Sequence, residues 1–180
     1  MEKYKNHGLI LVYTGNGKGK TTSAMGVAFR ACGYKMNTAM IQFIKGSMYT
    51  GEIESSKMLA PYFSLFPMGK GFVKTGNNKI SLKEHSEAAK NALKLAENKM
   101  FSGNYQIIIC DEINIAVKLK LINVDDVIDM INKKPDPIHL ILTGRDADCR
   151  IIDIADLVTE MREIKHPYNK GIKAQEGIDF

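Results

Sequence analysis

Residues 14–22 read TGNGKGKTT and carry the residue types that hold a polyphosphate. Gly15, Gly17 and Gly19 let backbone N–H groups, that of Asn16 among them, converge on phosphate oxygens without obstruction by a Cβ. A helix opening at this point adds the positive end of its dipole. Lys20 neutralises phosphate charge, and Lys18 adds to it. Thr21 offers a hydroxyl to Mg²⁺, with Thr22 beside it. The spacing departs from the common phosphate-loop pattern of Gly, four residues, then Gly-Lys-Ser/Thr. Here Gly15 is followed by three residues before Gly19-Lys20-Thr21, and Thr14 stands where the first Gly should be.

Three further groups offer matching chemistry. The run YQIIIC ends in Asp111-Glu112. A carboxylate at the end of a buried strand holds Mg²⁺ directly or through water, and in many ATPases the neighbouring Glu orients an attacking water. Thr143-Gly144-Arg145 follows another apolar run. Arg145 is either a cation that stabilises charge on a leaving phosphate or a plain surface charge. Gln42 and Lys45 end the run TAMIQFI, where contact with a nucleotide or co-substrate competes with turn and surface roles.

The elements that must position these groups follow from the pattern of apolar residues. Strand-length runs at residues 9–13, 38–44, 62–66, 105–110, 139–143 and about 157–161 alternate with helical segments. Residues 20–32 form a helix with a stripe of Ala24, Val27, Ala28 and Ala31, widened by Met25, Phe29 and Cys32, and ended by Gly33 in the left-handed conformation. Residues 51–60 suggest a short helix, and 68–79 a Gly-rich loop. Ser81 and Glu84 form a capping box for a long helix. Its inner stripe is Leu82, Ala89, Ala92, Leu93, Ala96 and Met100, with His85 near it. Asn123 starts another helix that Pro135 stops. A short helix near 148–155 follows, and the tail, KHPYNKGIKAQEGIDF, has no clear period. Continuous apolar strands separated by helices imply a parallel sheet covered on both faces. The expected fold is a RecA-like α/β P-loop fold with a mostly parallel six-stranded sheet, in one domain over residues 1–180. Ligands in such sheets collect at the carboxyl ends of the strands.

Composition narrows the class. The formal charge of +5 is spread along the chain, which suits an anionic ligand and gives no nucleic-acid footprint. Three cysteines lack metal-ligand spacing and read as reduced thiols in a cytoplasmic protein. The four histidines form no ligand pair. The start, MEKYKNHG, has no signal-peptide core, and no apolar run is long enough to span a membrane.

These residues together resemble the P-loop-type ATP:corrinoid adenosyltransferases, the cob(I)alamin or cob(I)yrinic acid a,c-diamide enzymes. The resemblance rests on TGNGKGKTTSAMGVAFRACGYK, MIQFIKG, MGKGF, IIICDE, LILTGRDA and the tail, in that order. The short loop spacing is itself a trait of that family. The resemblance implies ATP bound in the reverse sense, with triphosphate as leaving group and C5′ facing Co(I) of the corrinoid substrate. It implies Mg²⁺ (or Mn²⁺), a homodimer and a flavodoxin-like or flavin reductant. On this reading Lys20, Phe72 and Arg145 act in catalysis, and Thr21, Asp111 and Glu112 hold the metal. Gly15 to Thr22 and Gln42 bind the nucleotide. Phe72, in MGKGF, matches an aromatic that removes the lower axial ligand of cobalt. A second family aromatic is Lys74 here, whose stem covers some apolar surface without an equivalent face. Relatives with a longer N-terminal arm use it as a lid, for which residues 1–7 are too short.

The residues alone leave two other readings open: a P-loop phosphotransferase or ATPase such as a small nucleoside kinase, and a non-catalytic ATP-binding regulatory module. A zinc-bearing kinase would want Cys-x-x-Cys pairs, which the sequence lacks.

Overall fold

Among the described residues, the alternation of apolar runs and helices is realised as six strands and six α-helices. The computed structural model describes residues 7–46, 49–71, 73 and 80–180. The strands are β1 (Ile10–Thr14), β2 (Thr38–Gln42), β3 (Phe63–Pro67), β4 (Ile107–Asp111), β5 (His139–Thr143) and β6 (Leu157–Glu160). The helices are α1 (Lys20–Gly33), α2 (Gly51–Met58), α3 (Leu82–Phe101), α4 (Ile113–Lys118), α5 (Val124–Asn132) and α6 (Cys149–Asp153). One sheet runs in the order β3-β2-β4-β5-β1-β6, and every pairing is parallel.

The strands are apolar throughout because both faces are covered. Val12, Ala39, Ile41, Ile108, Cys110, Leu140 and Leu142 point to the face packed by α3, α4 and α5. Their neighbours Tyr13, Met40, Ile107, Ile109 and Ile141 point to the other face, against Ala24, Ala28 and Ala31 of α1. This is the two-residue period of a strand written on both sides. The small side chains of α1 let its backbone approach the sheet closely. Each fully buried Ile or Leu contributes on the order of 2 kcal/mol.

Several boundaries and faces differ from the sequence expectation. β2 ends at Gln42, although the Phe43 N–H still donates to the Asp111 carbonyl at 2.9 Å, the last bond of the ladder with β4. Gly33 stays inside α1; Lys35, at φ 59°, makes the left-handed turn. Phe29 and Leu82 share the helical period of the buried stripes yet are 70% and 64% exposed, since no element among the described residues covers them. His85, expected near the stripe and only partly buried, is buried. Two elements went unforeseen: α4, and a short 3₁₀-helix at Pro167–Lys170 in the tail.

The capping box at α3 is complete. The Ser81 hydroxyl accepts from the Glu84 N–H at 3.2 Å, and Glu84 accepts from the Ser81 N–H at 2.8 Å. Replacing Ser81 by Ala removes a partner from an otherwise unsatisfied helix-end N–H. Denaturant unfolding is expected to show a loss of about 1 kcal/mol, and unchanged stability would show that the box contributes nothing.

Candidate active site

The carboxyl ends of β1, β2, β4 and β5 lie side by side, and each delivers a polar residue to the same edge. β5 sits between β1 and β4, so Thr143 lies between the phosphate loop and Asp111. Asp111 is fully buried. Its Oδ1 accepts from the Thr21 hydroxyl at 2.8 Å and the Thr143 hydroxyl at 2.7 Å. Its Oδ2 accepts from Gln42 Nε2 at 3.3 Å. A buried carboxylate is tolerated only with such partners.

Glu112 follows with φ 63° and ψ 23°, a left-handed conformation that costs roughly 1–2 kcal/mol for a residue with a Cβ. Its N–H donates to Thr143 Oγ1 at 2.9 Å, which fixes the turn. The turn starts α4 at once and leaves the Glu112 carboxyl beside Asp111. Burial raises that carboxyl above its ordinary value and Asp111 adds to the rise, while Lys20, Lys45 and Arg145 pull it back. The charges of Lys20, Lys45 and Arg145, from three separate stretches of the chain, therefore all act on one carboxyl.

The phosphate loop lies against the chain that leaves β6. The Gly17 N–H donates to the Met161 carbonyl at 2.7 Å. A Cβ on Gly15 would meet the Met161 carbonyl oxygen at 2.5 Å, and Gly15 has φ +93°, so both the close approach and the turn exclude a side chain. Lys20 folds back over its own loop. Its ammonium donates to the Gly15 carbonyl at 2.8 Å and the Gly17 carbonyl at 2.7 Å. Burial pushes Lys20 below the usual lysine range; Glu112 opposes that and Arg145 adds to it.

The remaining expected residues divide. Gln42 is buried and engages Asp111, and Gly19 and Thr21 stand at the loop's junction with α1. Asn16, Lys18, Thr22 and Arg145 are exposed. Lys18 pairs with Asp179, whose side chain is only 14% exposed, so the tail reaches the phosphate loop. Phe72 and Lys74 lie outside the described residues. The loop leading to Phe72 borders a cleft of about 330 Å³ lined by Met68, Lys70, Glu84 and Ala88. A second cleft, of about 320 Å³, lies between Asn16 and Glu160. Neither includes Asp111, which the surrounding hydroxyls close off.

Sequence reasoning gave no role to Thr143, Asn114 or Asp179. Asn114 is fully buried and donates to the Gly144 carbonyl at 3.4 Å, fastening the loop after β5 to the start of α4. The position of Thr143 as the last residue of a strand was the available signal for it.

Among the described residues no group of three or more His, Cys, Asp or Glu side chains clusters as a metal site. Thr21, Asp111 and Glu112 instead provide one hydroxyl and two carboxyls. That small, all-oxygen set suits Mg²⁺, which keeps several waters and takes phosphate oxygens as its other ligands. The Thr21 hydroxyl already lies 2.8 Å from the Asp111 carboxylate, so the oxygens such an ion needs are gathered.

The family model described as ATP:corrinoid adenosyltransferase BtuR/CobO/CobP matches residues 6–180. A corrinoid adenosyltransferase of Sinorhizobium is 40% identical over 99% of this chain and 83% of its own. One from Pseudomonas aeruginosa is 38% identical over 96% of this chain and 84% of its own. One from Escherichia coli K12 is 34% identical over 96% and 86%. Among solved structures, a KaiC-like protein of Pyrococcus horikoshii superposes with a TM-score of 0.50 at 15% identity, over 88% of this chain and 75% of that one. That likeness concerns the RecA-like fold alone.

The raised Glu112 carboxyl has a stability consequence. The folded state binds this proton more tightly than the unfolded state does. Stability is therefore lost as pH rises from the ordinary carboxyl value through the raised one, and stays lost above it. Glu112→Gln is expected to melt at a higher temperature than the parent at pH 8, with the gap closing at acidic pH. Thermal unfolding across pH checks this, and a lower melting temperature for the variant at pH 8 contradicts it.

Proposed function

The chain belongs to the ATP:corrinoid adenosyltransferase family, and from that premise we propose how its own residues carry out the reaction. The activity is ATP-dependent adenosylation of a corrinoid. One observation carries the reading: the family match spans residues 6–180 and falls on a loop whose cations and hydroxyl converge with Asp111 and Glu112.

In the reaction, the Co(I) electron pair of the corrinoid forms a bond to C5′ of ATP. The C5′–O bond breaks, and its electron pair leaves with the triphosphate. The nucleophile belongs to the substrate, so the protein needs no attacking side chain. It must hold C5′ in line with cobalt and stabilise charge on the departing triphosphate. ATP lies in the reverse sense, with its terminal phosphates in the loop of Gly15 to Thr22. Lys20 exchanges the Gly15 and Gly17 carbonyls for phosphate oxygens, and Lys18 exchanges Asp179 in the same way. Thr21, Asp111 and Glu112 would hold Mg²⁺ or Mn²⁺, which would supply neutralising charge to the triphosphate. Gln42 keeps Asp111 oriented, and Arg145 adds positive charge at the edge of the site. Phe72 excludes the lower axial ligand of cobalt, which eases reduction of Co(II).

The same reading extends to a homodimer, a flavodoxin-like or flavin reductant, and a cytoplasmic setting without nucleic-acid or membrane partners. Free thiols at Cys32, Cys110 and Cys149 suit a reducing compartment. No helix among the described residues is long and apolar enough to cross a membrane. A nucleoside kinase or a regulatory module would account for the loop but not for the full-length family match.

The direct test is to mix the protein with ATP, Mg²⁺ and chemically reduced cobalamin and follow the visible spectrum. A light-sensitive Co–C product with free triphosphate is expected; ADP formation, or no product, rejects the assignment. In that assay Lys20→Ala should lower the rate by on the order of 10²-fold, and near-parent turnover would remove Lys20 from the mechanism. Phe72→Ala should show a larger defect when the reaction starts from Co(II) than from Co(I). Equal defects would contradict its axial role.

A further inference from the structure

We propose that Lys45 is a second cation on the triphosphate, independent of Lys20, and that Glu52 is the positioning residue that aims it. The proposal rests on the adenosyltransferase reading and deepens it at the same site.

The backbone brings Lys45 to the site and fixes it there. β2 pairs with β4 so that Gln42 lies opposite Asp111. The Phe43 N–H continues that register onto the Asp111 carbonyl, and Lys45 emerges two residues later, past the carboxyl end of β2. The segment is zipped to the loop after β3. Met68 N–H donates to Gln42, Gly69 N–H to Lys45 and Gly71 N–H to Ile44, at 2.9–3.0 Å. The two backbones touch so closely that a Cβ on Gly46 would lie 2.3 Å from the Gly69 carbonyl oxygen, and one on Gly69 would lie 2.1 Å from that of Ile44. The Cα of Lys45 thus has little freedom.

Its side chain is aimed as well. Lys45 Nζ lies 2.8 Å from Glu52 Oε1, with the two side chains 24% and 13% exposed. Glu52 sits in the first turn of α2, where a carboxylate is favoured by the helix dipole. Helix α2 contributes no buried residue to the core, so the inward placement of the Glu52 carboxylate is not explained by packing of the helix. Burial alone would raise the Glu52 carboxyl, but the bonds from Lys45 and Thr50 outweigh that and leave it below its ordinary value.

A lysine stem is flexible, and its ammonium has three donors. Among the described residues Glu52 is its one hydrogen-bond acceptor, which leaves donors for phosphate oxygens. Without Glu52, the flexible stem would lose the carboxylate that fixes where the ammonium stands. With Glu52 in place, Lys45 stands on the β2 side of the metal-binding carboxyls while Lys20 stands on the α1 side. A triphosphate between them meets cations at separated points along its length.

The experiment titrates inorganic tripolyphosphate with Mg²⁺ into the parent protein and into Lys45→Met, Lys45→Arg, Glu52→Gln and the Lys45→Met/Glu52→Gln double variant. Calorimetry gives affinities, and thermal unfolding gives stability. Lys45→Met should bind about tenfold more weakly, and Lys45→Arg should recover most of the loss. Glu52→Gln should weaken binding about threefold, and the double variant should match Lys45→Met, since Glu52 acts through Lys45. Affinities of Lys45→Met and Glu52→Gln within about twofold of the parent would overturn the proposal. So would additive losses, or tighter binding by Glu52→Gln. Should Lys45→Met fail to fold, Lys45→Arg and Glu52→Gln decide by the same criteria. The parent is also assayed for Co–C product from ATP and reduced cobalamin. Absence of that product contradicts the adenosyltransferase reading itself, whereas the tripolyphosphate titrations judge Lys45 and Glu52 alone.

Discussion

One carboxylate with no access to solvent, Asp111, ties the site to the sheet. It accepts hydrogen bonds from α1 through Thr21, from β5 through Thr143 and from β2 through Gln42. An ionised group in a protein interior is costly unless it is paired and bonded, and losing one partner of such a group is more damaging than losing a surface contact. The fold therefore has a reason to keep these elements in register at one point. Thr143 passes the constraint on, because its hydroxyl both donates to Asp111 and accepts from the Glu112 N–H. The left-handed turn at Glu112 persists on that support, an instance of local strain held by its surroundings at a functional site.

The same economy governs the phosphate loop. Lys20 is held by the loop's own carbonyls, so its buried charge is satisfied before a polyphosphate arrives. On the proposed reading, binding would exchange one set of oxygens for another with little reorganisation, which favours electrostatic stabilisation of a leaving group. Lys18 and Lys45 follow the same rule, each paired with a carboxylate from elsewhere in the chain.

What the sequence made legible was local. A strand, a Gly-rich loop and a helix follow one another at residues 10–33 as the sequence indicated, and Ser81 with Glu84 located the start of α3 to the residue. His139–Thr143 matched its strand because Gly and Pro-rich segments bound it on both sides. The misses share a physical cause, which is dependence on partners distant in the chain. Phe29 and Leu82 have the period of buried residues, and only the absence of a covering element among the described residues leaves them exposed. The six residues of α4 are too few to show a period, and the helix exists because Glu112 turns the chain. The bridging of Thr143 and the reach of Asp179 to Lys18 are tertiary facts. Family resemblance, rather than any period or spacing, supplied the corrinoid.

The central claim concerns which bond of ATP breaks. ATP carrying ¹⁸O in the bridge between C5′ and the α-phosphorus distinguishes the possibilities by phosphorus NMR and mass spectrometry of the products. Cleavage at carbon predicts that the label leaves with the triphosphate, at its terminal phosphorus, while the corrinoid gains an unlabelled adenosyl group. Label retained on a nucleoside product, with phosphate or a phosphorylated acceptor released, would contradict the account.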